Sequence, residues 1–167
     1  MFATIVELED FKSRHLRLYT VVLEDESASL FEDFVERHST LDELNIILAQ
    51  LTTLGNMGGV PTNFLRGEDA AEALPAKALQ FVEGEYVSCA LRLYCIRVSA
   101  HALILLNGAV KTAQKVQNCP NAYPYFKQAN GIATAYDASF RMKYGGIRLD
   151  SEGRYLDSES DFELDIR

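Results

Sequence analysis

The sequence predicts an α+β fold in which an antiparallel sheet packs against two N-terminal helices and one C-terminal helix. Three features carry that expectation. Two neighbouring segments show helical spacing behind capping-box residues. Runs rich in β-branched and aromatic residues flank them and read as strands. A further helical stretch then follows the last apolar run.

Taken in order, Phe2 to Leu8 and Leu16 to Leu23 read as strands bounded by charged residues. Ser29 with Glu32 forms a capping-box pattern ahead of Leu30, Phe31, Phe34 and Val35. Thr40 with Glu43 repeats the device ahead of Leu41, Leu44, Ile47, Leu48, Leu51 and Leu54, with Gly55 as the expected C-cap. So regular an apolar stripe needs a sheet to cover it. The glycines between Gly55 and Gly59 close a helix instead of opening one, which excludes a phosphate loop. The pattern from Val60 to Glu85 is irregular and punctuated by Pro61 and Pro75.

Leu91 to Val98 and Ala102 to Leu106 read as a hairpin joined by Ser99, Ala100 and His101. Alternation puts Leu91, Leu93 and Cys95 on one face and Arg92, Tyr94 and Ile96 on the other, while the second strand is apolar throughout and so central. Asn118 to Tyr136 reads as a turn and a helix, with Pro124 in the first turn and Phe126, Ala129, Ala133 and Tyr136 or Phe140 inward. A second hairpin is expected over 145–156. One domain then spans 1–156, followed by a flexible acidic tail over 157–167.

The longest apolar run, Ala102 to Leu106, is too short for a membrane helix, and the opening residues do not resemble a signal-peptide core, so a cytoplasmic location is expected. The three cysteines form no CxxC pair; they read as small buried residues, and neither a metal site nor a cofactor is expected. Hydrolase elbows, zinc-binding HExxH and Walker sequences are absent.

The net charge of -8 is unevenly placed. Between Glu85 and Arg148 stand eight basic residues and two acidic ones, a balance of +6, against -14 over the remainder. A basic middle with acidic flanks is compatible with an anion-binding face.

Leu91-Arg92-Leu93-Tyr94, followed at the spacing of a hairpin by Leu105-Leu106-Asn107-Gly108-Ala109-Val110-Lys111-Thr112, resembles a motif of the RelE/HigB-like toxin superfamily, especially its phage-derived branch. There an arginine-bearing strand precedes L-L-H-G-F-x-K-K-T. The order of elements over residues 16 to 137 is similar as well. Arg92 matches the strand arginine and Lys111 the first lysine; Asn107, Ala109 and Thr112 stand where the motif has histidine, phenylalanine and the second lysine.

The resemblance implies a RelE-like domain and a toxin-like component of a toxin–antitoxin or phage-defence system. Its activity would be that of a metal-independent endoribonuclease acting on mRNA. A helix-turn-helix antitoxin and RNA or the ribosome are the implied partners. The chemistry suits the residues. The ribose 2'-hydroxyl attacks the adjacent phosphate, and cationic donors stabilise the pentavalent phosphorane, with arginine as a planar fork and lysine as a point charge. Arg92 and Lys111 are the candidates for that role, Tyr94 for a stacking platform or proton carrier, and Arg97 and Lys115 for backbone contacts. His101 is a secondary candidate base, and His15 and His38 read as surface residues. The alternative is a non-enzymatic module that keeps the fold and binds nucleic acid or an acidic protein segment.

Overall fold

The computed structural model describes residues 1–11, 13–75, 81–82, 85–86, 89–141 and 163–166. The expected hairpin over 145–156 lies outside them. Strands β1 (Phe2–Glu7) and β2 (Arg17–Leu23) precede helices α1 (Leu30–Arg37) and α2 (Asp42–Asn56). Short strands follow, β3 (Arg66–Glu68), β4 (Ala71–Leu74), β5 (Phe81–Val82) and β6 (Glu85–Tyr86), and then the long hairpin β7 (Leu91–Ser99) and β8 (Ala102–Val110). Helix α3 (Tyr123–Tyr136) and strand β9 (Glu163–Asp165) complete the set.

The fold is α+β. Seven strands form one sheet in the order β3-β4-β7-β8-β2-β1-β9, and β5 and β6 pair separately. The expectation of a wholly antiparallel sheet is corrected at one place: β2 and β8 pair in parallel, from Arg17 opposite Ala102 to Thr20 opposite Leu105. Strand periodicity reports which face a side chain takes and carries no information on partner direction, so this pairing was not legible.

Helices cover both faces. Leu44, Ile47, Leu51 and Leu54 of α2 pack with Leu16, Leu18, Leu91, Leu93, Cys95, Leu103 and Leu105 on one. Phe126, Ala129, Ile132, Ala133 and Tyr136 of α3 pack with Tyr19, Val21, Tyr94, Ile96, Ile104 and Leu106 on the other. The hairpin alternation is therefore as expected. Residues Ala102 to Ala109 of the central strand β8 are all buried, and so are the three cysteines.

The capping box of α1 is formed: Glu32 N donates to Ser29 Oγ at 3.1 Å, and Ser29 N to the Glu32 carboxylate at 3.0 Å. The second capping box is not. Helix α2 starts after Leu41 with no side-chain cap, because the Glu43 carboxylate is engaged by Ala90 N and Leu91 N at 2.7 and 2.8 Å. Gly55 is no C-cap either. It lies inside the last turn, where an added Cβ would meet Ser13 Oγ at 2.9 Å, and Met57 closes the helix. Gly58, at φ +79°, supplies the left-handed turn that follows.

The sheet forks beyond Thr20 and Leu105, the last pair joining β2 to β8. The buried Thr20 hydroxyl donates to Leu105 O at 2.8 Å and accepts Phe31 N–H at 3.2 Å, so it seats the start of α1 in the fork. Helix α1 then runs beside the last residues of β8, and the Arg37 guanidinium donates to Gly108 O at 2.7 Å.

The segment 157–167, expected to be a flexible tail, contributes β9. Phe2 to Thr4 of β1 pair antiparallel with Asp165 to Glu163, and Leu164 is fully buried.

Candidate nucleic-acid interface

Strands β7 and β8 do not pair uniformly. Leu93 lies opposite Gly108 and Cys95 opposite Leu105, so Tyr94 faces one residue too many and β8 bulges at Leu106 and Asn107. The strands approach so closely there that a Cβ on Gly108 would lie 1.8 Å from Arg92 O. Asn107, 3% exposed, fills the bulge. Its Nδ2 donates to the Asp33 carboxylate at 2.7 Å, and its Oδ1 accepts from the Arg37 guanidinium and from Gly108 N. Arg37 also pairs with Asp33 at 2.9 Å. Burial pushes the Asp33 carboxyl up, but the hydrogen bonds from Asn107 and Arg37 outweigh it and hold the group below its ordinary value. This network ties α1 to the bulge that sets the exit of β8 toward Lys111.

Arg92 stands opposite Ala109, on the α3 face. Its guanidinium donates to Cys89 O and to Leu91 O. Lys111 continues the ladder past β8, its N–H donating to Ala90 O at 2.8 Å. The residue that sequence reasoning missed is Arg66. Strand β3 pairs Arg66 with Ala73, β4 pairs Ala73 with Tyr94, and side chains opposite one another share a face, so Arg66 and Arg92 lie on the same side of the sheet. Arg66 Nε donates to Pro75 O at 2.6 Å. Burial lowers the pKa of Arg66, and the neighbouring positive charge of Arg92 lowers it further. Only strand order brings these two arginines together; 25 residues lie between them and no local pattern links them.

Arg66 and Lys111 line one open cleft of about 680 Å³, together with Pro61, Asn63, Phe64, Leu65, Gly67 and Glu68. Glu68 is the carboxylate of that lining. The cleft thus gathers cations at its margin, an acceptor within it and Phe64 as a partly exposed aromatic wall.

The other expected site residues fall elsewhere. Tyr94 is 1% exposed and packs edge-on against Phe126 with ring centroids 6.1 Å apart. Burial, with Glu68 nearby, pushes its hydroxyl well above its ordinary pKa. A ring so enclosed has no face for a base and no open path for a proton, which corrects its proposed role. Arg97, at the far end of β7, grips Val60 O with Nε and Nη2 at 3.0 and 2.8 Å and so anchors the loop after α2 to the hairpin. Lys115 is exposed in the loop beyond Lys111, away from the ladder.

His101 Nδ1 lies 2.9 Å from His15 O at the hairpin turn, the opposite end of β7 from Arg92. His38 is buried, not a surface residue; its Nδ1 lies 2.7 Å from Phe34 O. None of the three histidines lines the cleft. Among the described residues no group of three or more histidine, cysteine, aspartate or glutamate side chains could hold a metal ion. No helix among them is long and apolar enough to cross a membrane. Comparison with protein-family models, with curated proteins and with solved structures found no match for this chain.

Proposed function

We propose that the chain is a toxin-like protein that grips the RNA backbone in the cleft lined by Arg66 and Lys111, with Arg92 beside it, and that it cleaves there without a metal. Arg66 and Lys111 line this cleft, and Arg92 lies on the same face of the sheet near Arg66; that grouping of cations carries the reading. Two guanidinium groups and one ammonium suit a phosphodiester whose charge grows in the transition state. In the proposed reaction the ribose 2'-oxygen attacks phosphorus, the bond to the 5'-oxygen breaks, and a cyclic phosphate remains. Glu68 is the cleft group able to accept the 2'-hydroxyl proton. A proton must then reach the leaving 5'-oxygen, and Lys111 is the cleft donor for it.

Expression in a bacterium tests this reading. Induction should arrest growth and cut transcripts, and Arg92→Ala combined with Lys111→Ala should relieve both. A harmless wild-type chain would remove the enzymatic reading. The enclosure of Tyr94 and the absence of histidine from the cleft favour a second reading, a module that binds RNA or an acidic segment without cleavage. It predicts intact RNA and an affinity that falls steeply with salt.

A further inference from the structure

On the other side of the exit of β8, a second cavity of about 440 Å³ is lined by Arg37, His38, Ala109, Val110, Pro120, Asn121, Pro124 and Tyr125. Val110, in this cavity, and Lys111, in the first cleft, are consecutive residues, so the two spaces flank one short length of chain. We infer that this second cavity is a nucleobase subsite for RNA whose backbone lies in the first cleft. The inference rests on the proposed RNA-directed function.

Its construction favours a flat, neutral heterocycle. The Arg37 guanidinium lies 4.2 Å from the centroid of the Tyr125 ring, and hydrogen bonds to Asp33, Asn107 and Gly108 hold it there. A guanidinium held over an aromatic ring is a surface that bases pack against, and a platform already fixed loses little conformational entropy on binding. Pro120, Pro124, Ala109 and Val110 supply apolar walls.

Two polar edges remain. A carbonyl can only accept, so the 2.7 Å approach of His38 Nδ1 to Phe34 O places the proton on Nδ1 and leaves Nε2 as an acceptor. Among the described residues Arg37 Nη1 makes no hydrogen bond, while Nε and Nη2 are engaged. One acceptor and one donor beside a stacking plane match the edge of a base. A phosphate would find the Arg37 guanidinium that lines this cavity already paired with Asp33.

The isotope-labelled wild-type protein, titrated separately with nucleosides and with ribose 5-phosphate, tests the assignment by NMR. Nucleosides carry a base without phosphate; they should shift the amide signals of His38, Asn121 and Tyr125. Ribose 5-phosphate carries phosphate without a base; it should shift signals around Arg66, Arg92 and Lys111 instead. Tyr125→Leu should abolish the first response and spare the second. Nucleosides that shift none of the three residues, or only those around Lys111, would overturn the subsite. Loss of the ribose 5-phosphate response alone would instead count against the backbone cleft. Should Tyr125→Leu fail to fold, the wild-type map still decides.

Discussion

At the scale of single residues, Gly108 and Asp33 govern the geometry of the candidate site without lining the backbone cleft. Gly108 is fixed by proximity, since the nearest atoms an added Cβ would meet are backbone atoms of Arg92 and Leu93. Gly108→Ala must therefore push the hairpin apart, and a loss on the order of 3 kcal/mol is expected in urea unfolding. An unchanged midpoint would show that the approach is not tight. Asp33 adds a pH dependence. Its folded pKa lies below the ordinary 3.8, so its stabilising effect is present above that value and is lost as pH falls through the folded pKa. Asp33→Asn should lower Tm at neutral pH, and the gap to wild type should close in acid below about pH 4. A gap constant down to pH 2 would contradict the assigned network.

At the scale of elements, what could be read from sequence was local. The capping box of α1, the stripe of α2, the inward face of α3 and the two faces of β7 all follow from spacing within a few residues, and all are present. The misreadings arise where a distant partner intervenes. Glu43 has the spacing of a capping residue from Thr40, yet it serves Ala90 and the start of β7 at Leu91, 47 and 48 residues away. The apolar run of strand β8 ends at Leu106, yet the strand reaches Val110; Asp33 and Arg37 satisfy the buried Asn107 and let it continue. Lys111, which lines the cleft, stands in the sequence motif together with Arg92, whereas Arg66 carries no sequence signal, because only the order β3-β4-β7 brings it close. The role of Glu43 gives a direct check. Its carboxylate accepts two backbone N–H groups that would otherwise be left at the edge of the core, so Glu43→Ala should destabilise by about 1.5–3 kcal/mol. Amide exchange at Ala90 and Leu91 should accelerate more than elsewhere in β7. A uniform change along the strand would point to general loosening of α2 instead.

At the scale of the whole molecule, the sheet separates two tasks by its width. The cleft lies at the β3 edge, and β9 closes the β1 edge at the other end of the same sheet. Glu163 to Ile166 sit at the edge opposite the cleft, where Met1 and Ile166 exchange backbone hydrogen bonds and Ile166 packs near Gly131 of α3. Stability and RNA affinity should therefore be separable. Leu164 is fully buried, so Leu164→Ala should lower stability by roughly 2–4 kcal/mol through lost apolar contact and a cavity. The same change should leave the RNA dissociation constant within a factor of two at temperatures where the variant is folded, because distant sites in one sheet act additively. Arg66→Ala should do the reverse. It removes a cation from the cleft at the cost of one hydrogen bond to Pro75 O, so affinity should fall and its salt dependence should flatten by about one unit of log-log slope. Binding of a fluorescent oligoribonucleotide across a salt series, beside thermal melts of both variants, gives the comparison. If Leu164→Ala weakened RNA binding as much as Arg66→Ala, the two edges would be coupled through the sheet and the cleft would not be an independent site.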